Sequence, residues 1–191
     1  RDFCLSRGLG DVYKRQNILM ITKIENQTMP FTLSSYRVDE QVRQSILLLE
    51  NKWSEKNIGF EMDMDSIEFC AVEGLLGNVW SNLIDNAIKF SPEGEIIYIS
   101  LKEKDDMLSF KIANRGEPMS GETLKRIFEK FYQGDTSHKR EGNGLGLALL
   151  KKIVRVHGGS VSAVNTEDGL IEFTVNLPAK RSCERLSLIH I

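Results

Sequence analysis

Four short stretches carry groups that could handle a phosphate, a divalent cation or another closely approaching ligand. Asn82, Asn86 and Lys89 are spaced by four and three residues, so on a helix they stack along one face. An amide oxygen can ligate a hard cation, and a lysine can neutralise phosphate oxygens. Magnesium takes few protein ligands and completes its shell with phosphate and water. A solvated helix face is the plainer alternative, and spacing alone does not separate the two. Asn114-Arg115-Gly116-Glu117-Pro118 closes a strand with a glycine that admits close backbone approach to a ligand. An ordinary strand-to-helix turn would read the same. Gly142-Asn143-Gly144-Leu145-Gly146-Leu147 sets three glycines at alternate positions where a helix opens. Bare N–H groups and a positive dipole end there favour phosphate. The run is neither GxxxxGK[ST] nor GxGxxG, because Leu147 stands where the last glycine would be; a flexible glycine-rich loop is the alternative. Arg126 to Tyr132 lies between these stretches and also reads as a core aromatic cluster.

These groups need a frame. Residues 73–90 carry Leu75/Leu76, Val79/Trp80, Leu83/Ile84 and Ala87/Ile88, a broad apolar face of one helix ended by Ser91-Pro92-Glu93-Gly94. Val38, Val42, Ile46, Leu49 and Trp53 predict a helix over 38–56. Leu145, Leu149, Ile153 and Val156 predict another, closed by Gly158-Gly159. A short helix is expected over 120–130. Residues 31–36, 58–64 and 67–72 read as strands. Hairpins are expected from 96–102 with 107–113, around residues 103–106, and from 160–164 with 170–177. Hairpins between helices predict an α+β two-layer sandwich, with one mixed, mostly antiparallel sheet and helices on one face.

The chain has 191 residues and a formal net charge of −2, which argues against a nucleic-acid partner held by bulk charge. No apolar run approaches the ~18 residues of a membrane span. Three cysteines are too few for a disulfide framework, so a reducing cytoplasm is the simpler setting. The two ends read differently from the rest. Residues 11–16 back-translate to GAT GTG TAT AAG AGA CAG, whose reverse complement encodes Leu-Ser-Leu-Ile-His-Ile, residues 186–191. That string resembles a transposase adapter of sequencing libraries, so residues 1–16 and 186–191 are set aside as translated adapter. Removing four cations and two anions with them takes the formal charge from −2 to −4. Residues 17–29, with Ile18, Leu19, Ile21 and Ile24, read as the end of a helix. Residues 31–179 form the domain and 180–191 a tail.

In order and spacing, the four stretches resemble the catalytic and ATP-binding domain of bacterial sensor histidine kinases, within the GHKL ATPase superfamily. The matching runs are Asn82-Leu83-Ile84-Asp85-Asn86-Ala87-Ile88-Lys89-Phe90, the glycine box at 114–118, the Phe box at 127–132 and the second glycine box at 142–147. The resemblance covers residues 31–179 and implies a Bergerat ATP-binding fold. It makes residues 17–29 the end of a dimerisation helix. It implies ATP and Mg²⁺, with Asn86 on the metal and Asn82 and Lys89 facing the phosphates. Asn114 would meet the adenine amine, with Gly116 at the ring and Pro118 stiffening the segment beyond. Tyr132 would border the site, and residues 133–146 would form a lid. There Gly142, Gly144, Leu145, Gly146 and Leu147 bring backbone to the phosphates, and Lys139 and Arg140 are cations within reach of the γ-phosphate.

This sequence departs from the family in two respects. The usual Asp-x-Gly-x-Gly is here Asn114-x-Gly116-x-Pro118, which keeps an acceptor for the adenine amine but not its charge. The glutamate that activates water in ATP-hydrolysing relatives is replaced by Asn82, which cannot act as a base. Phosphoryl transfer to a protein is therefore expected over hydrolysis. The phosphoacceptor histidine of the family lies on the dimerisation helix. His138 and His157 do not sit on such a helix, and His157 is expected to satisfy turn hydrogen bonds. The implied partners are the chain's own dimerisation domain, as a homodimer in the full protein, and a response regulator. The implied setting is a cytoplasmic domain of a parent anchored in the inner membrane. An anti-sigma-type GHKL serine kinase and a non-catalytic nucleotide-binding module are the alternatives.

Overall fold

The computed structural model describes residues 19–22, 24, 32–133 and 144–179. The suggested adapter segments, Lys139, Arg140 and Gly142 lie outside them. The elements run β1 (Ser34–Arg37), α1 (Val38–Leu47), α2 (Glu50–Glu55), β2 (Gly59–Met64), β3 (Glu68–Ala71), α3 (Glu73–Phe90), β4 (Ile96–Lys104), β5 (Met107–Arg115), α4 (Gly121–Arg126), α5 (Gly146–Val156), β6 (Ser160–Asn165) and β7 (Leu170–Pro178).

Five strands form one sheet in the order β2-β4-β5-β7-β6, with β2 and β4 parallel and the other pairs antiparallel. Alternation sets its two faces. Ile97, Ile99 and Leu101 of β4, Leu108, Phe110 and Ile112 of β5, and Phe173, Val175 and Leu177 of β7 are buried. Their strand neighbours Tyr98 and Lys111 are exposed. Against the buried face lie α3 and α5. Trp80 of α3 packs on Phe110 with ring centroids 4.7 Å apart, and Leu76, Val79 and Ile84 are fully buried. Each large apolar side chain so buried contributes roughly 1.5–3 kcal/mol. That packing, rather than helix propensity, fixes how α3 lies and therefore which of its faces is left for chemistry. The α+β sandwich of the sequence reading is the fold observed.

Three details differ from the sequence expectations. The helix expected over 38–56 is two helices, broken at Leu48 and Leu49. A run of three leucines cannot point one way, and Leu47 and Leu48 are exposed while Trp53 turns back to donate its indole N–H to the Ile46 carbonyl at 3.0 Å. There are also two sheets, because β1 pairs antiparallel with β3 alone. Asp39 ties that small sheet to α1. It is fully buried, takes two bonds from Arg37 and one from Arg43, and accepts from the Ile67 N–H at 3.2 Å. The Arg37 guanidinium above all holds this carboxyl well below the usual carboxylate range despite its burial. Folding lowers the pKa, so this stabilisation is full above the unfolded carboxylate pKa and is lost as the pH falls below it. Finally, Cys70 is buried on β3 and disulfide-bonded, where the cysteine count suggested reduced thiols.

The β4–β5 hairpin turns on Asp105 and Asp106, both at positive φ (54° and 58°), the two-residue turn that matches strand twist. Residues 19–22 and 24 are helical, and Ile21 and Ile24 are buried in the same core as the domain.

Candidate functional site

The face of α3 that the core leaves over carries Asn82, Asn86 and Lys89. Asn82 is 7% exposed and donates to the Asn78 carbonyl at 2.7 Å. Its Oδ1 lies where a Cβ on Gly146 would come within 2.6 Å, so the first residue of α5 meets this amide only as glycine. The second glycine stretch is thus seated against the asparagine face. Asn86, one turn on, is half-buried, and its side-chain amide makes no hydrogen bond among the described residues. Lys89, in the last turn, has its ammonium 5.1 Å from the Phe90 ring centroid.

Gly144 stands at φ +62°, and a Cβ there would fall 2.7 Å from the Phe131 carbonyl carbon and the Tyr132 oxygen. Phe131 N–H donates to the Gly144 carbonyl at 2.9 Å. The two flanks of residues 134–143 therefore close on one another. Phe131 holds φ +63°, a strained backbone for a side-chain-bearing residue, with its ring exposed. Tyr132 faces α4: its hydroxyl is 3.2 Å from Thr123 Oγ1 and its ring lies under Arg126. Leu145 is 2% exposed and belongs to the core, and Leu147 packs partly against it. These two positions offer backbone rather than side chain to a ligand.

At the other end, Asn114 occupies the inner face of β5, 3% exposed, and donates from Nδ2 to the Arg115 carbonyl at 3.1 Å. A Cβ on Gly116 would lie 3.2 Å from Ile171 Cδ1 and from the Phe90 carbonyl, so the strand end and the end of α3 touch through a glycine. A cleft of ≈ 420 Å³ opens beside this contact, lined by Lys56, Lys89, Phe90, Ser91, Pro92, Glu93, Arg115, Gly116 and Glu117. Pro118 is exposed beyond it. The next residue, Met119, is gripped by Asn165, which accepts from its N–H at 3.0 Å and donates to its carbonyl at 2.7 Å.

Of the predicted residues, Asn82 and Gly146 are in contact, Lys89 and Gly116 share the cleft, and Asn86 stands between them on α3. Lys56 and Asn165 were missed by sequence reasoning. His157, by contrast, behaves as expected. It is buried, with Nδ1 2.8 Å from the Ile153 carbonyl and Nε2 accepting from Val72 N–H at 3.2 Å. Nε2 joins the end of α5 to the start of α3, while Nδ1 bonds back within α5. No group of three or more His, Cys, Asp or Glu placed to hold a metal occurs among the described residues.

Residues 71–181 match the family described as histidine kinase-, DNA gyrase B-, and HSP90-like ATPase. The chain is 31% identical over 161 residues to the heme sensor protein HssS of Staphylococcus aureus, covering 84% of this chain and 35% of that protein. It is 33% identical over 165 residues to the sensor protein KdpD of Clostridium acetobutylicum, covering 85% and 18%. It thus spans about a third of HssS and less of KdpD. The catalytic domain of the histidine kinase ThkA superimposes with a TM-score of 0.70 at 27% identity, over 77% of this chain and 95% of that one. Acinetobacter baumannii histidine kinase AdeS shares the fold, with a TM-score of 0.76 at 20% identity over 95% of this chain and 87% of that one. The chain belongs to the histidine kinase-, DNA gyrase B-, and HSP90-like ATPase family, with a catalytic domain of the sensor histidine kinase type.

Proposed function

We propose that this chain is the ATP-binding catalytic part of a two-component sensor histidine kinase, which donates the γ-phosphoryl group of ATP to a histidine on a dimerisation helix. The observation that carries the reading is the seating of Gly146 on Asn82, with the half-buried Asn86 one turn away along α3. A glycine-rich helix start and an amide oxygen then face the same space, as a triphosphate and its cation require.

In this reading the Asn86 oxygen holds Mg²⁺, which when bound neutralises charge on the phosphates. Asn82 and Lys89 bracket the phosphate chain, and the backbone of Gly144 and Gly146 approaches it closely. Asn114 meets the adenine amine, and Gly116 lets the ring lie against the strand end. The lid residues Lys139, Arg140 and Gly142 would complete the phosphate contacts. Asn82 orients and donates but takes no proton, so water is not activated from this position. Transfer then depends on in-line placement of an acceptor nitrogen and on charge neutralisation. His157 is no such acceptor, since both its nitrogens are engaged. The partners that follow are the protein's own dimerisation domain, as a homodimer, and a response regulator. A cytoplasmic placement beneath a membrane-anchored sensor is part of the same reading. Among the described residues no helix is long and apolar enough to cross a membrane.

The test supplies labelled ATP and Mg²⁺ with a separately made dimerisation domain of a related kinase. Transfer to that domain's histidine is expected, with negligible steady-state hydrolysis by the chain alone. Rapid magnesium-dependent release of phosphate without an acceptor would make the protein an ATPase instead.

A further inference from the structure

We propose that Lys56, at the corner between α2 and β2, is a positioning residue of the nucleotide site. It sets the end of α3 that carries Lys89 and Phe90, an inference that rests on reading the cleft as an ATP site.

The Lys56 ammonium donates to the carbonyls of Ile88 at 2.7 Å, Lys89 at 3.2 Å and Ser91 at 2.6 Å. The last carbonyls of a helix have no partner within it. An ammonium, with three donors and no acceptor, suits three converging oxygens at the negative end of the helix dipole. The remaining carbonyl of this run, that of Phe90, lies 3.2 Å from where a Cβ on Gly116 would stand. Four consecutive carbonyls are thus divided, three to one cation and one to the first glycine box. If the three were released, the turn could rotate. Both the Phe90 carbonyl and the base of the Lys89 side chain would then move relative to Gly116.

Lys56 is itself anchored. Its carbonyl accepts from Gly94 N–H at 2.9 Å. The next residue, Asn57, stands at φ 50° and donates to Glu93 Oε1 at 3.2 Å. The corner is therefore fixed to the α3–β4 turn by backbone and side chain, and the ammonium is presented from a rigid base. Lys56 also lines the cleft, so a direct contact with phosphate is the competing role.

Titration calorimetry of the whole chain with MgATP and with adenosine, well below the unfolding transition, separates these roles. A residue that positions the joint between α3 and Gly116 affects both ligands alike. In Lys56→Met, ATP and adenosine should both bind roughly tenfold more weakly. Lys56→Arg, which keeps the cation and several donors, should recover most of that loss. Weakened ATP with unchanged adenosine would make Lys56 a phosphate ligand and overturn the positioning role. Unchanged affinities with a lowered melting midpoint would make it merely structural and also overturn it. If Lys56→Met does not fold, Asn57→Ala loosens the anchor and leaves the ammonium in place. A smaller loss, equal for the two ligands, is then expected, and no loss overturns the proposal. If the unmutated chain binds neither ligand, the ATP reading fails first, and with it the site that Lys56 would position.

Discussion

The two ends of the candidate site are held by different physics. At the end beside α5, the contacts are defined by side chains that are missing. Asn82 meets Gly146, and the Phe131–Tyr132 backbone meets Gly144, at distances no Cβ could share. At the end beside β5, hydrogen bonds and charge do the holding. Lys56 gathers three carbonyls of the α3 terminus, Asn165 grips the Met119 backbone, and Asn114 is turned by the Arg115 carbonyl. The first kind of contact fails abruptly, because an added methyl has nowhere to go in a packed interior. The second kind fails by degrees where water can replace a lost partner, as it can at the part-buried Lys56 and the exposed Asn165 bonds. A phosphate site built from close backbone approach needs the first kind. A base site that must admit and release a flat ring can rest on the second.

The sharpest way to break this contrast is Gly144→Ala. It combines a positive φ with contacts at 2.7 Å to backbone atoms, which cannot swing aside. A stability loss of about 3 kcal/mol is expected from urea unfolding. A loss below that of the hydrogen-bond variants discussed next would abolish the distinction. Gly146→Ala should cost about 2 kcal/mol, since the obstructing atom belongs to a side chain, yet one tied to the Asn78 carbonyl. The double-mutant cycle is more telling than either value. With Asn82→Ala in place the obstruction is gone, and Gly146→Ala should become neutral or slightly favourable through helix propensity. Additive effects would show that Asn82 is not what demands glycine.

Asn165→Ala probes the other end at a smaller scale. Two exposed hydrogen bonds to Met119 are lost, and about 1 kcal/mol of stability should go with them in the same unfolding measurement. This clamp and Lys56 were invisible in the sequence for a shared reason. Their partners are backbone carbonyls and N–H groups, which every residue has, so no residue type marks them. The asparagine face of α3 and the glycine stretches were legible because their signals are local: a helical period, and glycines where side chains are forbidden. The sandwich was legible from strand alternation for the same reason. The β1–β3 pair was not, since which strands pair depends on contacts far apart in the chain. The break at Leu48 was hidden by an apolar period that continues through Leu49 to Trp53 although the helix does not.

The smallest expected effect is at Asn114, where the structure modifies what the sequence suggests. On the proposed ATP reading, replacing Asn114 by Asp would restore the carboxylate usual in the family and strengthen a bond to the adenine amine, since a charged acceptor is roughly twice as strong as a neutral one. From sequence alone the expected gain in ATP affinity is about 1 kcal/mol. The amide, however, is not free to be exchanged without loss. Its Nδ2 donates to the Arg115 carbonyl, and an aspartate would set oxygen against oxygen there unless it turned away. Turning away would also move the acceptor from the base. The charge gained and the lost internal bond therefore oppose each other. Asn114→Asp should bind ATP more tightly by less than about 1 kcal/mol while losing stability of similar size. Calorimetric titration and urea unfolding of the same variant check both halves. A full gain with unchanged stability would show that the Arg115 carbonyl does not orient this residue. Poorer affinity would show that the rotamer set by that carbonyl contributes more to recognising the base than the charge does.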